Sequence, residues 1–539
     1  MIIHADGKQR DELREEWVPV KVLGSQGVTN IEELLAVKAP SISFRTNRCS
    51  QWEGAGSWIL LDFGKELCGG IRMVTRAVEG SVASLAKWRL TFGESVTEAC
   101  SSIGEKNATN DHSPRDFEVL TPGMSDLSFG QTGFRFVRIE LLNDVNVLLQ
   151  SVFAVSLLPV FEREATITTN DPLVNDIIKT AAYTLKLCFQ NGYVWDGIKR
   201  DRLVWCGDLH PELITSMYLF GDTPNIVNSL DFLRAETPAD EWVNNIPSYS
   251  AWWVVNLCDY CQITGNMEYF NQNRDYALAV LDHINRSIGD DGVMRITDGA
   301  GMEYFLDWST HQQPDAPYGV AALLRLTAER FLKMEENADC RDILRKLEHY
   351  LAQDTVLKPV RAFQVLAGRN DPSDVPMLQA GGAAGMSTFM SYYILTAIAK
   401  AGGTDMLEML KAYYGGMLSR GATSFWEDFD IDWLEGSGRI DEFPAEGQKD
   451  IHGDFGKYCY IKFRHSLCHG WSSGVLAFII EYIFGVTVTD GGKTVTVKPH
   501  PLGLTDLEAS IPLPDGWLQV AIHGDSVEVT APEGTTVIR

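Results

Sequence analysis

Between Trp195 and Glu212 the chain reads Trp-Asp-Gly-Ile-Lys-Arg-Asp-Arg-Leu-Val-Trp-Cys-Gly-Asp-Leu-His-Pro-Glu. Asp196, Asp201, Asp208 and Glu212 put carboxylates beside Arg200, Arg202, Lys199, Trp195 and Trp205. Such a density of charge is foreign to an ordinary core, where a buried charge must be paired. Large flat rings are equally foreign to an ordinary surface loop. Together they suit a cleft for a hydroxylated ligand, where rings stack and carboxylates bond or move protons. The alternative is a salt-bridged network of Arg200, Arg202 and the aspartates that only braces the fold.

Hydrolysis of a glycosidic bond needs two carboxyl groups facing each other across it, commonly from distant parts of a chain. The second carboxylate is expected at Glu427, in Gly421-Ala-Thr-Ser-Phe-Trp-Glu427-Asp428, beside Trp426. Asp307-Trp308 is a further acid–aromatic pair, and His469-Gly-Trp471 opens the last helical segment. Asp208 and Glu212 share a face if a helix begins near 208. No Gly-rich phosphate loop, GxSxG or HExxH is present, which disfavours nucleotide, serine-hydrolase and zincin chemistry. Cys258-Asp-Tyr-Cys261 reads as a pair of core thiols. His452, Cys459, His465, Cys468 and His469 match no common zinc spacing, so neither metal nor cofactor is expected.

These residues need a scaffold of several domains, since 539 residues exceed a single core. Residues 1–162 read as β, with Ser57-Trp-Ile-Leu-Leu-Asp-Phe-Gly-Lys and Phe134-Arg-Phe-Val-Arg-Ile-Glu-Leu-Leu as strands, and predict an accessory jelly-roll-like sandwich. Residues 163–485 turn helical. Asn170-Asp171-Pro172 predicts an N-cap and first turn, followed by apolar positions at helical spacing. Segments 248–264, 315–335, 383–400, 404–418 and 470–484 predict further helices, paired into a closed α/α toroid. The stretches 288–314, 353–378 and 421–468 read as long irregular connections. Residues 486–539 revert to period two and predict a small β domain with a turn at Gly524-Asp525.

A net charge of −26 disfavours nucleic acid and anionic membranes as partners. It suits a neutral carbohydrate. No bilayer-spanning run and no signal peptide are visible, and the cysteines have no framework spacing, so a cytoplasmic location is expected.

The motifs, in order, resemble the bacterial α-L-rhamnosidases, the six-hairpin glycosidases with an (α/α)6 barrel. Asp196, Asp201, Trp205, Gly207 and Asp208 resemble that family's Asp-Cys-Pro-x-x-Glu-x-x-x-Trp-x-Gly-Asp motif. Thr423-Ser-Phe-Trp-Glu427, Cys468-His469-Gly-Trp-Ser-Ser-Gly and Ser387-Thr-Phe-Met-Ser-Tyr-Tyr resemble later elements. The resemblance implies an inverting hydrolase, with Asp201 as acid, Glu427 as base and the two carboxyls roughly 6.5–9.5 Å apart. Asp196, Arg200, Trp205, Asp208, Glu212, Asp307, Trp308, Trp426, His469 and Trp471 would hold the sugar. One departure is that the family's acid is commonly Glu, one methylene longer than Asp201. Glu212 is the next candidate for the acid. Two rivals stay open: an inactive carbohydrate-binding homologue, and a polysaccharide lyase on the same toroid.

Overall fold

The computed structural model describes residues 12–38, 41–79, 84–200, 202–457 and 460–539. The N-terminal part is antiparallel β: β1 (Glu12–Trp17), β2 (Lys21–Gln26), β3 (Val28–Thr29), β4 (Ser50–Glu53), β5 (Trp58–Val78), β6 (Leu85–Gly93), β7 (Asp116–Pro122), β8 (Ser125–Leu141) and β9 (Asn146–Pro159). Where the sequence suggested a two-sheet sandwich, hydrogen bonds join these nine strands into one sheet. The long strands explain this. β5 pairs with β2 over its first residues and with β9 over its last, with register breaks near Asp62–Leu67 and Gly69–Ile71. Such breaks bend a strand. Ile59 and Leu61 from one end of β5, and Ile71 and Met73 from the other, thereby share one buried core. A single turn of helix, α1 (Val96–Ala99), follows β6.

The helical part is built from α2 (Pro172–Cys188), α3 (Leu209–Leu219), α4 (Pro224–Glu236), α5 (Pro247–Thr264), α6 (Met267–Arg286), α7 (Ala316–Met334), α8 (Ala338–Leu347), α9 (Lys358–Leu366), α10 (Asp374–Gln379), α11 (Ser391–Lys400), α12 (Met406–Ser419) and α13 (Gly474–Phe478). The expected cap is present: Asp171 accepts from the amides of Leu173 and Val174, with Pro172 in the first turn. The apolar stripe of α2, including Val174, Ile177, Ile178, Ala181 and Leu185, is buried. α3 contacts α5, α5 contacts α7, α7 contacts α9, α9 contacts α11, α11 contacts α13, and α13 returns to α3. The remaining helices pack outside this closed circle, as α4 and α6 do on α5, α8 on α7 and α10 on α9.

Two segments differ from the sequence reading. Residues 353–378, expected to be irregular, contain α9 and most of α10, each with a proline in or near its first turn. The helix expected from 383 starts only at Ser391, because Gly381, Gly382 and Gly385 take left-handed backbone.

The C-terminal β part has its expected hairpin, with His523 opposite Ser526 across Gly524-Asp525. The sheet of Asp506–Leu513, Gly516–His523 and Ser526–Thr530 gains a fourth strand, β10 (Thr166–Thr169). β10 lies in the stretch the sequence reading assigned to the helical domain.

Candidate active site

Asp196 begins a loop closed on itself. Its amide donates to Leu203 O, and the amide of Leu203 donates back to Asp196 Oδ1 at 2.9 Å. Asp201 falls inside this loop and lies outside the described residues. α3 then begins at Leu209, with Asp208 at its N-cap. Pro211 is tolerated in its first turn because amides there have no intrahelical partner. Gly207 is required just before it: a Cβ there would stand 2.4 Å from the ring of Tyr249. The close ring brings Tyr249 Oη to Asp208 Oδ1, at 2.9 Å.

His469 Nε2 stands between two of the carboxylates, 3.7 Å from Asp196 Oδ2 and 3.8 Å from Asp208 Oδ2. Glu212, one turn along α3, is fully buried beneath Gly470. Burial first, then Asp208 and Asp196, raise its pKa well above the usual range. Glu212 Oε1 has no hydrogen-bond partner.

Glu427 comes from a segment that runs beside residues 465–469. Its amide donates to Ser466 O, and the amide of Ser466 donates to Glu427 Oε2, both at 3.0 Å. Arg200 reaches across from the first loop, with Nη2 at 2.8 and 2.7 Å from the two Glu427 oxygens. Both groups are buried, so this is a desolvated ion pair. The carbonyl of Glu427 accepts from Trp471 Nε1 at 2.9 Å and from Thr388 Oγ1.

Glu427 opens onto a small pocket, also lined by Asp307, Trp308, Ser387, Asp428, Lys457 and Trp471. Asp428 is half-buried in the pocket wall. Burial, then Asp307, then Glu427, push its carboxyl up to about 7. Its amide donates to His465 Nε2 at 2.9 Å. Asp307 is also raised by burial, offset by hydroxyl donors from Ser309 and Ser387. The pocket therefore combines three carboxyls, hydroxyls and two indoles, the donor set that a sugar needs.

The residues singled out from sequence thus divide. Glu427, Asp307, Trp308 and Trp471 line the pocket. Asp196, Asp208 and His469 form a cluster behind Trp471, whose ring lies 4.2 Å from that of His469. Trp205 is half-buried against Tyr249, with ring centroids 6.1 Å apart. Three expectations are corrected. Trp426 is a core residue, packed edge-on against Phe429. Arg200 donates to Glu427 and to Arg464 O and is not itself part of the pocket lining. Glu212 lies under Gly470, outside the pocket lining. Asp428, Ser387, Thr388 and Lys457 were not singled out. Asp428 adjoins Glu427, and that adjacency was the available signal.

The N-terminal sheet reaches this site. Lys199 Nζ, beside Arg200, lies 2.9 Å from Glu94 and 3.1 Å from Glu98, and donates to the carbonyls of Phe463 and His465. Glu94 in turn accepts from the amide of Leu467 at 2.6 Å and from Ser466 Oγ at 3.2 Å. Glu94, Glu98 and His452 are grouped closely enough to suggest a metal. The Lys199 ammonium already supplies a cation there. No helix among the described residues is long and apolar enough to cross a membrane.

Residues 162–321 match the family profile of the bacterial α-L-rhamnosidase six-hairpin glycosidase domain. Among solved structures, a GH78 family rhamnosidase of Bacillus sp. GL1 superposes with a TM-score of 0.70 at 20% identity, covering 89% of this chain and 53% of that one. A rhamnosidase from Klebsiella oxytoca with rhamnose bound gives 0.67 at 21% identity, covering 87% of this chain and 95% of that one. The Streptomyces avermitilis α-L-rhamnosidase complexed with L-rhamnose gives 0.65 at 15%, covering 89% and 48%. The chain thus spans about half the length of the Bacillus and Streptomyces proteins and nearly all of the Klebsiella one. At these identities the likeness is one of fold. No curated protein matches the chain.

Proposed function

We propose, for a chain that carries the bacterial α-L-rhamnosidase six-hairpin glycosidase domain over residues 162–321, that it hydrolyses a terminal α-L-rhamnosyl or related neutral or deoxy sugar with inversion. The circle of helices is read as an (α/α)6 toroid with the sugar pocket at one end. The observation that carries the reading is the pocket wall: Glu427 in an ion pair, next to Asp428 with its carboxyl pushed up to about 7. Inverting hydrolysis needs one carboxylate to activate water and one carboxylic acid to protonate the leaving oxygen. Glu427 is the base, oriented by Arg200 and the Ser466 amide. Asp201 is the acid on the loop between Asp196 and Leu203. Asp428 is its rival, since burial keeps much of it protonated near neutral pH. Trp308 and Trp471 would stack on the sugar, with Asp307 and Ser387 bonding its hydroxyls.

A second reading is an inactive sugar-binding protein. It is favoured by the occupancy of Glu427, whose two oxygens already accept from Arg200 and one from Ser466.

The test is turnover of nitrophenyl α-L-rhamnoside by wild type, Glu427→Gln, Asp201→Asn and Asp428→Asn, with the product anomer followed by NMR. A general acid or base contributes about 10²–10⁴ in rate, so each true partner should lose that much. Loss in Asp428→Asn but not in Asp201→Asn moves the acid to Asp428. Retained anomeric configuration refutes inversion. No turnover, with rhamnose still bound in calorimetry, establishes the inactive binder.

A further inference from the structure

Beside the small pocket lies a larger groove, which shares Ser309, Ser387, Asp428 and Lys457 with it. A sugar ring in the small pocket would point its leaving group into this groove. Val356, Leu357, Pro359, Met377 and Met386 give it an apolar wall suited to the face of a second ring.

Lys358 is out of character in this wall. It opens α9, is 94% buried with 6% of its surface exposed, and faces the groove. Its ammonium donates to the carbonyl of Gly382. Among the described residues no carboxylate lies within ion-pair reach of it, and burial alone draws its pKa down to about 8. An ammonium buried without a counter-charge is costly, and an arriving anion would offset that cost. The rest of the molecule makes the contrast sharper, because the net charge is −26 and the adjoining pocket is carboxylate-lined. Lys457, at the junction of the two cavities, already pairs with Asp430 at 2.6 Å. The unanswered charge is therefore the one on Lys358.

We infer that the groove is a leaving-group subsite for an acidic residue, in which Lys358 pairs with the carboxylate of a uronic acid carrying the terminal sugar. This deepens the rhamnosidase reading and rests on it for the identity of the terminal sugar. The charge-assisted bond would be made in a desolvated wall, where a neutral analogue leaves the ammonium unanswered.

The experiment compares two disaccharides that differ only at C6 of the second ring, α-L-rhamnosyl-(1→4)-glucuronate and α-L-rhamnosyl-(1→4)-glucose, with nitrophenyl α-L-rhamnoside alongside. For the wild-type chain, kcat/KM for the glucuronate should exceed that for the glucose compound by about tenfold or more. In Lys358→Met that ratio should collapse towards one. In Lys358→Arg, which keeps the charge, most of it should remain, and this variant separates a lost ion pair from a damaged helix. A wild-type ratio near one, or an unchanged ratio in Lys358→Met, overturns the inference. If nitrophenyl rhamnoside is not cleaved by the wild type, the rhamnosidase reading fails by itself. Titration with free glucuronate then decides the subsite: binding that is absent for glucose and lost in Lys358→Met sustains it, and no binding ends it.

Discussion

Asp428 and Arg200 show how burial sets the behaviour of single side chains here. Asp428 is protonated more readily in the folded chain, at about 7, than in an unfolded one, near 3.8. Its folded pKa is raised, so the folded state binds the extra proton between those values. That favours the folded state at low pH and is lost as pH rises through about 7. Asp428→Asn should therefore leave stability less sensitive to pH between about 4 and 7, measured as urea midpoints across that range. An unchanged slope would refute the assignment. Removing the guanidinium has the opposite character. Arg200→Met strands Glu427 as an unpaired buried carboxylate and should cost about 3–5 kcal/mol in urea unfolding. At this scale the sequence was readable by chemistry but not by address. Trp308, Trp426 and Trp471 each stand near an acid or a histidine, yet only Trp308 and Trp471 line the pocket. That Trp426 is core depends in part on His465, which arrives from far along the chain, and no local pattern carries that.

At the scale of elements, the site depends on close approaches that only glycine permits. A Cβ on Gly470 would stand 1.9 Å from Glu212 Oε1, at the turn that carries His469 and Trp471. Gly470→Ala should cost about 1–3 kcal/mol through overpacking. It should also reduce turnover more than binding, because the turn positions His469 between Asp196 and Asp208. A thermal melt beside kcat and KM for nitrophenyl rhamnoside checks both. Normal stability with normal kcat would show that the turn yields freely. The helices themselves were largely legible, since α2 has periodic apolar positions and a capping Asp171, and α5 and α7 open on prolines. α9 was missed because its nine residues are too few for a convincing period. Glycines at 381, 382 and 385 hid the true start of α11.

For the whole molecule, the N-terminal sheet forms part of the site's foundation. Lys199 is clasped by Glu94 and Glu98, and Glu94 holds the Ser466–Leu467 backbone that meets Glu427. Lys199→Met should leave two buried carboxylates facing each other and cost about 3–5 kcal/mol. The melting transition would show whether the sheet and the helices unfold together. A chain beginning at residue 162 should give no measurable turnover, since Lys199 would lose both partners. Full activity from such a chain would refute the sheet's role. The alternation of β, α and β along the chain was legible. The joining of its parts was not, because Glu94 and Leu467 meet across more than three hundred residues.

The same holds for β10, with a consequence for how the chain is made. Thr166 leaves the ribosome roughly 340 residues ahead of Ser510, its partner in the sheet. At about 5–20 residues per second, the strand waits on the order of half a minute with its edge unanswered. Assembly of that sheet therefore waits for residues 507–510 to emerge, and an exposed strand edge is open meanwhile to pairing with a neighbouring chain.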